Sequence, residues 1–147
     1  ILGIFASAIL GFLVYIGNTG PETFVVTGNQ IKRSHMKTID DLQLIPPGEQ
    51  IQFFYSDALV NVRRGMYFVT GNTLVLYNEE WNDPKLTAPL SDIVALETKY
   101  NDSFFEDSFL FITLANGDAW SFPISSEQGM DRKIVAHIEK HASLDIP

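Results

Sequence analysis

The sequence contains no cysteine, which excludes disulfides, thiolate metal sites, thiol nucleophiles and a cysteine-linked lipid anchor, and leaves the redox compartment open. It is also poor in base. Ten Lys and Arg face 18 Asp and Glu, a formal net charge of −8 with a pI near 4.7. Nucleic-acid surfaces and general attraction to anionic head groups both need clustered Lys and Arg, so neither is expected here. Nucleotide and acyl-transfer signatures are missing too, because no G-x-S-x-G, P-loop or dinucleotide glycine pattern occurs. The carboxylates are plentiful but scattered through connecting segments, and two acids without a pocket do not make an acid-base pair. The expectation is a protein that is not an enzyme and uses no cofactor or metal.

Long apolar runs are scarce, and the one that occurs is the first 17 residues, "ILGIFASAILGFLVYIG", without charge or proline. As a helix rising about 1.5 Å per residue it would cover roughly 25 Å, so residues 1–17 are expected to form a transmembrane helix and meet the lipid bilayer. A signal peptide would carry small cleavage residues after its apolar part, whereas Ala6-Ser7-Ala8 falls in the middle. Gly3, Ser7 and Gly11 stand four apart, a row of small residues that would let another helix approach closely. The 147 residues leave room for one further domain. Gly20-Pro21 breaks the helix, and residues 18–45 are expected as a hinge and one short helix from Ser34 to Ile45, with Met36, Ile39 and Leu42 at helical spacing. Pro46-Pro47-Gly48 ends it.

From there the pattern changes to short strands. "EQIQFFYSD", "GMYFVT", "TLVLYN", "KLTAPL", "DIVALETKY", "SFLFITL" and "DAWSFPI" read as seven strands. Gly71-Asn72 joins the second to the third and Asn116-Gly117 the sixth to the seventh, pairs able to take the positive φ of tight hairpins. Trp120, Phe122 and Ile124 alternate and are expected on a buried face. Ser125-Ser126 can cap a last helix running to about Ala142, with Met130, Ile134 and Ile138 on its apolar side.

This order resembles the pleckstrin-homology (PH) superfold in its bacterial and GRAM-like branches, over Leu44 to about His141. The resemblance rests on "IPPGEQIQFFYSD" leading into the first strand, on "YFVTGNTLVLYN" and "APLSDIVALET", and on the closing helix. It implies a seven-stranded antiparallel, partly open barrel made of a four-stranded and a three-stranded sheet, with the C-terminal helix plugging the open end. The expected fold class is thus a single transmembrane helix followed by a mainly-β PH-like domain at residues 46–147.

In PH domains that bind inositol phosphates, a lysine on the first strand joins basic residues at the start of the second. Here "EQIQFFYSD" has no Lys or Arg, so Arg63 and Arg64 are weak candidates for a phosphate contact and a specific lipid headgroup is not expected. His137 and His141 stand four apart without the Glu of a zincin or an evident third ligand, and Asp102, Glu106 and Asp107 lack the glycine and alternating oxygens of a calcium loop. No metal is assigned to either group. Nine acids against Lys85 and Lys99 lie between Glu79 and Asp118, nearly the whole net charge. Within that stretch Trp81 in "NEEWNDP" and Phe104 and Phe105 in "NDSFFEDS" are aromatic residues ringed by acid, which either fold back over the barrel or stand out with the composition of a protein contact. The expected function is therefore a bacterial, membrane-anchored protein-interaction module, an accessory or assembly subunit of a larger integral membrane complex such as an energy-transducing one. Its domain is expected on the cytoplasmic side of the inner membrane; the alternative is a lipid-headgroup adaptor of the PH or GRAM type.

Overall fold

Alternating apolar residues and well-placed turns produce eight strands and two helices in residues 24–103 and 105–145, the part of the chain that this computed structural model describes. In chain order these are β1 (Val26–Thr27), α1 (Arg33–Asp41), β2 (Ile51–Tyr55), β3 (Met66–Thr70), β4 (Thr73–Tyr77), β5 (Lys85–Pro89), β6 (Ile93–Lys99), β7 (Ser108–Leu114), β8 (Ala119–Ile124) and α2 (Met130–His141). All pairings are antiparallel, in a five-stranded sheet ordered β1-β2-β3-β4-β5 and a three-stranded sheet β6-β7-β8. The seven strands read from the sequence are β2 to β8.

The eighth strand corrects the expected four-stranded sheet to five. Val26 pairs with Phe54 and Thr27 with Phe53, and Gly28 then turns the chain across β2. A Cβ at Gly28 would lie 1.9 Å from the carbonyl oxygen of Ile51, so this approach is open to glycine alone. Residues 24–45, expected as a hinge and helix ahead of the domain, in fact pack within it. Ile31, Ile39 and Leu44 share a buried cluster with Phe54, Phe68 and Val75.

That packing explains why every residue of β3 is buried. An antiparallel sheet with one wet face would alternate. Here one face meets the α1 segment, while the other meets the main core, in which Val69, Leu74 and Leu76 contact Leu110, Ile112 and Phe122 of the second sheet and Ile134 and Ile138 of α2. Each such aliphatic side chain contributes about 1.5–3 kcal/mol by leaving water.

The geometry of one turn and the start of the last helix need correction. Neither Gly71 nor Asn72 adopts a left-handed φ; the Thr70 hydroxyl instead accepts the N–H groups of Asn72 (3.2 Å) and Thr73 (2.9 Å). The Glu49 carboxylate ties the same hairpin by accepting from the Thr70 and Thr73 hydroxyls at 2.9 and 3.0 Å. Asn116-Gly117 does turn with Gly117 at φ 92. The last helix starts later than Ser125-Ser126 because Gln128 (φ 57) and Gly129 (φ 66) are left-handed and interrupt helical geometry before Met130.

Trp120 and Trp81 end in similar surroundings. Trp120 lies on the expected inner face, half-buried against the main core, and Trp81 takes the folded-back reading, leaning on the same core. Trp120→Ala and Trp81→Ala are therefore each expected to cost about 2 kcal/mol in urea unfolding. A loss below about 0.5 kcal/mol at Trp81 would return it to the exposed class.

No helix among the described residues is long and apolar enough to cross a membrane. Residues 1–17, where the span is expected, lie outside the described residues, and with them Gly3, Ser7 and Gly11.

Candidate functional site

The last residues of β2 and the first of β3 bring two tyrosines side by side at one end of the domain. Tyr55 and Tyr67 have ring centroids 6.5 Å apart, and Tyr67 also stacks on Phe122 at 5.8 Å. Their rings are buried in the main core and their hydroxyls meet acids at its edge. Tyr55 Oη donates to Asp107 Oδ2 at 2.7 Å, and the Tyr67 hydroxyl faces the Asp57 carboxylate, with both beside Gly65. Burial, followed by the neighbouring carboxylates, pushes both tyrosines well above the ordinary phenol range.

Asp57 itself is raised, chiefly by desolvation, with the hydrogen bonds from Tyr67 and a backbone N–H opposing and the charge of Asp107 adding. Its position depends on Gly65: a Cβ there would sit 2.1 Å from Asp57 Oδ1. The Gly65 carbonyl also accepts from the buried Ser56 hydroxyl at 2.5 Å, fixing the strand crossing behind the acid.

Beside these acids opens a pocket of about 390 Å³, lined by Asp57, Lys99, Asn101, Phe105, Glu106, Asp107, Phe109 and Pro123. Three carboxylates face one ammonium, so its field attracts cations and repels phosphate. No His, Ser or Cys lines it, and Asp107 and Glu106 serve as hydrogen-bond acceptors to Tyr55 and Asn101. Asp102, Glu106 and Asp107 do not converge. Asp102 lies 3.9 Å from Arg132, which stacks over Tyr100, while Glu106 accepts from Asn101 and Asp107 from Tyr55. Among the described residues no three metal-binding side chains come together.

Arg63 and Arg64 lie elsewhere in the fold, in the short turn Val62–Arg64 before β3. Arg64 Nε stands 3.3 Å from Glu80 and 3.9 Å from Glu79, and Asn61 donates to Glu79 at 3.0 Å. Arg63 is exposed. Neither arginine lines the pocket. Arg63→Ala with Arg64→Ala is expected to change stability by less than about 0.5 kcal/mol and to leave phosphoinositide vesicle association at background in co-sedimentation. Saturable association that this pair of changes removes would restore the arginines as a phosphate site.

The two histidines of α2 each commit one nitrogen to a carbonyl: His137 Nε2 to Thr70 at 2.8 Å and His141 Nδ1 to His137 at 2.8 Å. His137 thereby fastens the helix to the end of β3, while the His141 bond stays within the helix.

Of the aromatic contact residues read from the sequence, Phe105 is 90% exposed, Trp81 leans on the core, and Phe104 lies outside the described residues. The sequence reading missed Phe109 and Phe111, which point outward from β7, are 41% and 44% exposed, and stack with centroids 6.4 Å apart. The signal was present in "SFLFITL", a strand apolar on both faces where one wet face would be polar.

No known family profile matches the sequence, and no curated protein matches it. Solved structures do share its fold. A DUF1696 family protein with a pleckstrin-homology domain from Shewanella loihica PV-4 is 17% identical, with 82% of this chain and 97% of that one covered and a TM-score of 0.55. A pleckstrin homology domain from Shewanella amazonensis SB2B is 16% identical, covering 80% and 94%, with a TM-score of 0.52. At such identities the likeness is one of architecture, and on it the two antiparallel sheets with their C-terminal helix are a pleckstrin-homology-like fold.

Proposed function

We propose that this chain is a membrane-anchored, non-enzymatic protein-interaction module, an accessory or assembly subunit of a larger integral membrane complex, with its PH-like domain on the cytoplasmic side of a bacterial inner membrane. The observation that carries the protein-binding part is the outward aromatic stripe of Phe105, Phe109 and Phe111 beside an acidic pocket. Exposed aromatics gathered on one face support a docking role better than scattered ones, because a contiguous apolar area gains most from being covered. The anchor rests on the uncharged residues 1–17. The lipid-headgroup alternative would need Arg63 and Arg64 to face a bilayer, and Arg64 stands instead among Glu79 and Glu80.

The deciding experiment is purification of the full chain from its native membranes in mild detergent, with mass spectrometry of what accompanies it. A stoichiometric integral membrane protein is the expected companion. A chain that runs as a lone monomer would overturn the subunit reading.

A further inference from the structure

The outer face of the β6-β7-β8 sheet combines two properties that select a partner. Phe109 and Phe111 form a stacked apolar strip, and Phe109 has Pro123 beside it in the β8 register. At the end of this strip lies the pocket, lined by Phe105 and Phe109 together with Asp57, Glu106 and Asp107, three carboxylates against the single ammonium of Lys99. Across the strip, β6 places Glu97 opposite Phe111 and Lys99 opposite Phe109. We infer that this face seats a short extended segment of a partner protein in which apolar residues alternate with Lys or Arg, the apolar side chains lying on Phe109 and Phe111 and one basic side chain entering the pocket. The inference rests on the protein-binding reading above and gives that partner its chemistry.

The acids are set for a cation before it arrives. Tyr55 holds Asp107 Oδ2 at 2.7 Å, so this carboxylate need not be ordered at the moment of binding, and Asp57 is packed against Gly65 beside it. A carboxylate offers about four acceptor positions, and this bond leaves several for an entering ammonium or guanidinium. Phe105 and Phe109 line the same pocket, and aromatic rings attract a cation that reaches their faces. Other occupants fit less well. A second copy brings a formal charge of −8 against an already acidic face. A bilayer would have to accept three carboxylates along with the phenylalanines, at a desolvation cost that anionic lipids increase.

The test is a fluorescence-anisotropy titration of the full chain, in phosphatidylcholine nanodiscs, with a labelled peptide of about eight residues alternating Leu with Arg, a length that spans one strand. Two control peptides replace every Arg by Glu or every Leu by Ser, and empty nanodiscs supply the background. Saturable binding is expected, about tenfold weaker for either control and for Phe109→Ser, and about fivefold weaker for Glu106→Gln. Phe105→Ser, in a 90% exposed position that folding does not need, should weaken it as well, while Glu139→Gln on the exposed side of α2 should not. No binding, equal binding of all three peptides, or binding indifferent to Phe105→Ser and Glu106→Gln would overturn the inference. If the native companion still co-purifies and is still lost with Phe109→Ser while the Leu-Arg peptide does not bind, the chemistry assigned here is wrong and the protein-binding reading stands. Phe105→Trp emission quenched by brominated phosphatidylcholine, beyond the quenching of the wild-type chain, would overturn it in favour of a lipid contact.

Discussion

Raising the pH above 10 is expected to unfold the domain steeply, and Tyr55→Phe with Tyr67→Phe is expected to make that loss shallower. Both phenols titrate far above their ordinary value of 10.0 in the folded chain, because they are buried and face carboxylates. In the unfolded chain they release their protons near 10.0, so above that pH the folded state binds one more proton per tyrosine. The stability they contribute is complete below pH 10 and is lost as pH rises, at about 1.4 kcal/mol per pH unit for each tyrosine and about 2.7 for both. At neutral pH the double change should cost about 1–2 kcal/mol, chiefly through the lost hydrogen bond from Tyr55 to Asp107. Urea midpoints taken at pH 8, 10 and 11 therefore separate two effects of opposite pH trend: a lower starting stability and a flatter alkaline limb. Parallel limbs in wild type and variant would mean that the hydroxyls are not held as described.

The tyrosine pair also marks where a sequence stops being legible. β2 to β8 could be read because each is a run of alternating or apolar residues bounded by turn chemistry, and α2 because Met130, Ile134 and Ile138 recur at helical spacing. Tyr55 and Asp107 are 52 residues apart, and nothing local in either stretch announces the other. β1 is two residues long, too short to show any period, and its place was fixed by Gly28 meeting the Ile51 carbonyl. The turn at Gly71-Asn72 was legible as a turn but not in its geometry, because the Thr70 hydroxyl supplies the hydrogen bonds that a positive φ would otherwise arrange. Trp81 looked like a loop anchor since its neighbours are acidic, yet a large ring next to an uncovered core gains more from leaning on that core than from water. For the candidate site, Phe105 was picked out, while Phe109 and Phe111 were hidden in a strand whose two faces are both apolar.

Combining Phe105→Ser and Phe109→Ser with Gly3→Leu and Gly11→Leu is expected to abolish co-purification with the integral membrane partner, where either pair alone only weakens it. A single span gains no hydrophobic advantage from helix association in lipid, so a lasting complex needs close backbone packing, contacts outside the membrane, or both. The two contacts would belong to one chain, and binding at the first makes the second effectively intramolecular, at local concentrations of order millimolar. Each pair of changes should then lower recovery of the partner by about tenfold or more while leaving detectable complex, and only the fourfold variant should run alone. Phe105 and Phe109 are chosen over Trp81 because Trp81 leans on the core, where truncation would mix a stability loss with a contact loss. Equal thermal melts for wild type and the serine pair, and equal membrane insertion for the leucine pair, are required before the comparison is read. A fourfold variant that is folded, inserted and still fully bound would show that neither the small-residue row nor the outer face of β7 carries the contact. Loss that comes entirely from the leucine pair would instead confine the association to the membrane and leave the aromatic face without a role in it.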